Sequence, residues 1–138
     1  MTVSRVLPAT LAPRFARARR AVCTLEDASF EVVVAERFLM RLRGLSGLDA
    51  GAMVPLLFPR CRSLHTFGMR APIDVAWLDL AQAGEGEVLA VEPDVLPRRT
   101  VRAPGGAPRR RVGALELPAG DARALGLAPA RHITTSAP

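Results

Sequence analysis

Between Cys61 and Asp74 the chain sets a thiol, an imidazole and a carboxylate close together, in the segment CRSLHTFGMRAPID. Cys61, His65 and Asp74 are the residue types of a nucleophile, its base and an orienting acid. With His132 or Glu116 added, the same side chains are donor types for a transition metal. Spacing argues against both. If the chain from Cys61 to His65 is extended, their Cα atoms lie about 13 Å apart at about 3.3 Å per step. A zinc ion holds its ligand atoms at about 2.0–2.3 Å, so the pair needs a tight turn that no Gly or Pro between them signals. Neither a Cys-x-x-Cys nor a His-Glu-x-x-His pattern occurs. No nucleophile elbow stands beside Cys61 to supply an oxyanion site. Arg60 and Arg62 flank the thiol and would make it reactive if they lie close and it is exposed.

A structural reading accounts for the same residues. Cys61, Ser63, His65 and Phe67 alternate onto one strand face, expected to look inward. In GMRAPID, Gly68 and Pro72 make a reversal. Asp74 enters the following strand from that reversal, placed to accept loop N–H groups or to pair with Arg70. Glu116 lies between Leu115 and Leu117 and faces away from them, either toward solvent or as an anchor for the next helix. Polar groups gathered at strand ends are where ligands meet a small barrel. Cys61, His65, Thr66, Met69, Arg70, Asp74 and Glu116 are therefore the expected rim of any pocket.

The elements that must position these residues are mostly strands. Period-2 runs and turn chemistry predict strands near 22–25, 29–34, 53–58, 62–67, 73–80, 87–92 and 112–117. In IDVAWLDL both faces are apolar, which implies burial on both sides. In SFEVVV, Val33 breaks the alternation. Helices are expected near 36–45, where Phe38, Leu42 and Leu45 share a face and Gly44 or Gly47 ends the run, and near 119–125 with Gly126 as the stop. RRTVRAPGGAPRRR reads as a loop by composition. The fold class is α+β, mainly β: one curved, antiparallel-rich, barrel-like sheet with two short helices. Residues 1–20 read as a mobile basic arm, 21–134 as a single domain and 135–138 as a tail.

Composition narrows the function classes. The chain has 138 residues, 49% of them hydrophobic, enough for one domain with a real core. Its longest apolar run, Ala52 to Phe58, is far short of the about 18 residues that mark a membrane helix. The N-terminus lacks a compact apolar stretch before a cleavage site, so no secretory signal is expected. Two cysteines read as cytosolic thiols, and the expected location is cytoplasmic. The net charge is +6, but all 19 basic residues are Arg and the chain has no Lys, Asn or Tyr. Such a bias follows base composition as readily as phosphate binding, and base-stacking aromatics are few. A nucleic-acid role would need the Arg clusters 14–20, 98–102 and 109–111 to form one face.

In order along the chain, RGLSGL, LLFPRC, HTFGMRAPIDVAWLD, VLAV and LELPAG resemble the domain of unknown function 192 family over about residues 30–133. The HTFGMR-x-PIDV and LELPAG segments carry the resemblance. Many relatives have an aromatic-Met-Lys-Asn-Thr run where this chain has His-Thr-Phe-Gly-Met. Where relatives often show Gly-Asp near the end, this chain has Ala130-Arg131. The resemblance implies a small, mostly antiparallel, barrel-like β fold with short helices and no established activity. Two function classes follow. One is a non-enzymatic binding module for a small molecule or protein, with a shallow Arg-rimmed pocket near His65. The other is a small thiol-dependent or hydrolytic enzyme using Cys61, His65 and Asp74. No cofactor or metal is implied.

Overall fold

The computed structural model describes residues 2–81, 84–107 and 111–138, with Phe38 described by its backbone alone. Its centre is a closed barrel of seven strands: β2 (Arg20–Leu25), β3 (Ala28–Val34), β4 (Leu56–Phe58), β6 (Ile73–Leu80), β7 (Glu85–Val95), β9 (Val112–Pro118) and β10 (His132–Ser136). Around the barrel the order is β3-β2-β10-β7-β6-β9-β4, and a parallel β3–β4 pairing closes the ring. The other ring contacts are antiparallel. Closure removes the free edges that an open sheet would expose. β2 and β3 form the expected hairpin, with Leu25 opposite Ala28 across the Glu26–Asp27 turn. Register shifts interrupt the β6–β7 ladder between Ile73 and Val75 and between Trp77 and Leu78. Such bulges sharpen local twist, which ring closure needs.

Two apolar layers share the barrel wall. Inside, Cys23, Phe30, Val32, Val34, Ala76, Leu78, Leu115, Leu117 and Ile133 pack together, with Ala122 of the short helix α2 (Asp121–Ala124) and Leu125 behind it closing one mouth. Outside, Leu56, Phe58, Val75, Trp77 and Ala114 pack under Phe15, Leu45, Met53 and Met69. This explains SFEVVV: Val32 and Val34 fill the barrel while Val33 joins the outer layer. β6 is buried from Ile73 to Leu78, as its two apolar faces predict. Trp77 is wholly buried and donates its indole N–H to Glu92 Oε2 at 2.8 Å.

The cover over the outer layer differs from expectation in several places. Within residues 2–20, where a mobile arm was expected, most side chains are exposed but the segment is tied down at several points. β1 (Val3–Arg5) pairs in parallel with the first half of β3, beside the stretch that pairs with β4. Leu7 and Phe15 are buried, Leu7 N–H donates to Glu31 Oε1 at 2.7 Å, and Arg14 donates to the carbonyls of Gly44 and Ser46. An open stretch of β3 and an uncovered apolar wall supply the reason. Likewise, the expected tail at 135–138 begins inside β10, which fills the gap between β2 and β7.

The 53–58 strand shortens to β4, with Met53 and Val54 buried ahead of it as loop. Ser63–His65, β5, leaves the barrel and pairs with β8 (Thr100–Arg102), a strand inside the segment expected to be loop. Residues 108–110 of that segment lie outside the described residues. Helix α1 is Phe38–Arg43, and Gly44 ends it with a φ of 50°. Leu45 is buried but Leu42 is exposed, so the single apolar face expected of this helix is not formed. Among the described residues no helix is long and apolar enough to cross a membrane.

Candidate functional site

Of the seven residues expected at a pocket rim, the fold brings Cys61, His65 and Glu116 to one cleft and sends the others elsewhere. The cleft is about 210 Å³ and lies between the C-terminal turn of α1 and β5. Arg41, Arg43 and Gly44 form one wall, Cys61, Ser63 and His65 the other, with Phe58 and Leu64 as its apolar part.

Glu116 lines this cleft although it is only 2% exposed. Its position follows from register. On β9, Leu115 and Leu117 enter the barrel, so Glu116 points to the outer layer, opposite Leu56 of β4 and Val75 of β6. There Leu45 N–H donates to Glu116 Oε1 at 3.2 Å, the one hydrogen bond to this carboxyl among the described residues. Glu116 therefore anchors the turn after α1, not the helix that follows its own strand. Gly44 stands directly over the carboxyl, where a Cβ would collide with Oε1. Burial pushes the Glu116 carboxyl up from 4.5 to about 7, with the Leu45 N–H opposing.

Cys61 and His65 share the cleft without forming a dyad. Cys61 Sγ lies 3.3 Å from the Ser63 carbonyl, its hydrogen-bond partner. His65 Nδ1 accepts from Phe67 N–H at 3.3 Å, and its ring tilts against Phe67. Ser63, His65 and Phe67 are exposed, which corrects the inward face expected for this strand. β5 pairs with β8 in a separate two-stranded sheet and takes no place in the barrel wall. Burial pushes the Cys61 thiol up despite the neighbouring Arg41 guanidinium, which pulls the other way. Arg41 also donates to the Arg60 carbonyl, which holds it at the rim.

The other four have separate duties. Asp74 shares a face with Ala76 and Leu78, on the opposite side of the sheet from Glu116. It is 1% exposed and accepts three backbone N–H groups: Asp94 at 2.9 Å, Gly120 at 2.9 Å and Ala122 at 3.0 Å. These bonds tie β7 and the start of α2 to β6. Asp74 thus takes the loop-anchoring alternative, while Arg70 pairs with Asp49 at 3.2 Å on the surface. Thr66 is buried, donating its hydroxyl to the Leu96 carbonyl at 2.7 Å and accepting Arg99 N–H at 2.8 Å. Met69 is buried in the outer apolar layer.

No cluster of three or more metal-ligating side chains occurs among the described residues. His132, considered as a further ligand, lies on β10 opposite Glu87 of β7. Five of the arginines are held in ion pairs: Arg5–Asp121, Arg19–Glu36, Arg111–Asp79 and Arg131–Asp27 join Arg70–Asp49. Arg109 and Arg110 of the expected basic clusters lie outside the described residues. Sequence reasoning did not assign Arg41 and Arg43 to the site. The signal available was Gly44, whose φ of 50° lets the chain turn closely over Glu116.

Comparison with known proteins agrees with this architecture. A protein of unknown function from Novosphingobium aromaticivorans DSM 12444 superposes with a TM-score of 0.61 at 16% identity, covering 91% of this chain and 99% of that one. A candidate transcription regulator, so described, from Sinorhizobium meliloti 1021 gives 0.63 at 18% identity, covering 93% and 97%. At these identities the likeness is one of fold. No curated protein matches. The family model for DUF192, described as an uncharacterized ACR, matches residues 21–135. The chain therefore belongs to the domain of unknown function 192 family.

Proposed function

We propose that the chain is a non-enzymatic small-molecule binding module whose site is the cleft between α1 and β5. One observation carries the reading: Glu116, almost wholly buried and held by one backbone N–H among the described residues, lies at the floor of an open cleft rimmed by Arg41, Arg43 and His65. A buried carboxyl that is poorly satisfied costs stability. Titratable groups displaced in this way concentrate at functional sites. At about 210 Å³ the cleft is smaller than the roughly 300–1,000 Å³ of drug-sized sites, so its ligand has few heavy atoms.

The thiol-enzyme reading draws support from Cys61 and His65 lining the same cleft. Against it stand a thiol pushed toward its unreactive form and an Asp74 committed to three N–H groups on the other face of the sheet.

The test is a thermal-shift panel of simple sugars, amino acids, amines, carboxylates and inorganic phosphate. A compound present at about a hundred times its Kd adds about 2.7 kcal/mol of stability. The shift is expected to vanish in Arg43→Ala and to shrink in His65→Ala, both exposed positions whose basal Tm should hold. A shift that survives both substitutions, or a panel in which nothing stabilises the protein, would overturn the proposal.

A further inference from the structure

An anion that reaches the arginine rim of the cleft meets a carboxyl group at its floor. The two charges conflict unless the floor carries a proton. We propose that the cleft binds a small oxyanion, a carboxylate or a phosphate-type group, together with one proton held on Glu116. This rests on the binding reading above and adds the ligand's chemistry and its proton stoichiometry.

The surroundings of Glu116 support it element by element. α1 contributes Arg41 and Arg43, the segment after β4 contributes Cys61, and β5 contributes His65. β4 and β6 meet Glu116 with the uncharged Leu56 and Val75. Asp74, the carboxylate nearest in register, is on the far face of the sheet. Among the described residues no Arg or His forms an ion pair with Glu116, and neither Arg41 nor Arg43 pairs with any carboxylate.

The rim therefore offers unneutralised positive charge, and the floor offers an acid that burial keeps largely protonated below about 7. In that form Glu116 can donate a hydrogen bond into the cleft. An arriving oxyanion disfavours ionisation of Glu116 further, so binding takes up a proton once the pH exceeds that value. Reciprocity then makes affinity fall as pH rises. A cationic ligand would gain at an ionised Glu116 but would have to pass Arg41 and Arg43.

Titration calorimetry of the full chain with sulfate and with succinate, from about pH 6.5 to about pH 8.5 in buffers of differing ionisation enthalpy, tests this. Neither probe changes charge appreciably in that range, and the tighter of the two distinguishes a phosphate-type from a carboxylate ligand. Kd should rise about tenfold per pH unit above about 7, with about one proton taken up per ligand at the alkaline end. Glu116→Gln should bind with no such slope, and His65→Ala should retain it. If Glu116→Gln does not fold, proton uptake by the parent protein decides. Binding with a flat pH profile and no proton uptake overturns the coupling and leaves the binding module intact. A slope lost in His65→Ala but kept in Glu116→Gln assigns the proton to the imidazole and also overturns it. If neither probe binds while a sugar or amine does, the ligand class is wrong; if nothing binds, the module reading fails with it.

Discussion

Asp74 and Glu116 lie one register step apart on the paired strands β6 and β9, and both are buried carboxylates. Their settings differ sharply. Asp74 faces the barrel side and accepts three backbone N–H groups, whereas Glu116 faces the outer layer and accepts one among the described residues. A carboxylate satisfied by several N–H donors acts as a joint between elements. One left nearly alone at the floor of a cleft is destabilised in its charged form and available to something else. Burial alone does not separate the two roles; the number of donors does.

The harshest test of this contrast is Asp74→Ala. It orphans three N–H groups at about 1–3 kcal/mol each, partly relieved by water, so a loss on the order of 3–5 kcal/mol is expected. Domain stability is typically about 5–15 kcal/mol, and a thermal melt should show a large drop in Tm. A melt that overlays the parent would erase the distinction.

Next is the pH profile of stability. The Glu116 carboxyl stands at about 7 in the fold against 4.5 ordinarily. Below 4.5 it is protonated in both states and contributes no slope. Between 4.5 and about 7 the unfolded chain has released the proton while the fold retains it, so rising pH favours unfolding. The stabilising contribution is lost across that window, on the order of 3 kcal/mol at about 1.36 per pH unit. Denaturant titrations of Glu116→Gln should lack this decline. The same decline in both proteins would assign it to other groups.

A smaller effect is expected from Gly44→Ala. The backbone there has a φ of 50°, and a Cβ would collide with Glu116 Oε1. About 1–3 kcal/mol should be lost for the strained conformation alone. Unchanged stability would mean that the turn over Glu116 adapts freely.

The smallest effect is kinetic. Cys61 should react with iodoacetamide more slowly at neutral pH than a free thiol, because burial holds its proton on. Cys23, inside the barrel with its thiol pushed up to about 12, should be alkylated only on unfolding. Timed mass spectrometry reads both, and fast labelling of Cys61 would revive the thiol-enzyme reading.

The fold was legible where periodicity was strong. IDVAWLDL announced a strand covered on both faces, and SFEVVV and LELP announced two more strands. β8 was hidden because three residues inside an Arg-rich segment carry too little pattern, and its partner β5 lies outside the barrel. β1 and β10 escaped because short strands at the chain's ends take their structure from neighbours already in place. At the site, residue type pointed to Cys61, His65 and Glu116. Arg41 and Arg43 were out of reach because the contact joining Leu45 to Glu116 spans 71 residues. Asp74 is close to His65 along the chain, but strand parity puts its side chain on the opposite side of the barrel wall from Glu116, whose cleft His65 lines.

The order of strands around the barrel also bears on synthesis. β2 pairs on one side with β3, immediately after it, and on the other with β10, about a hundred residues downstream. Until β10 emerges, a growing chain holds a hairpin with one bare edge and an interior open to water. Topologies of such high contact order fold slowly. A nascent chain stalled before His132 would therefore present an unzipped, sticky sheet to chaperones, and losing those final residues would open the ring itself.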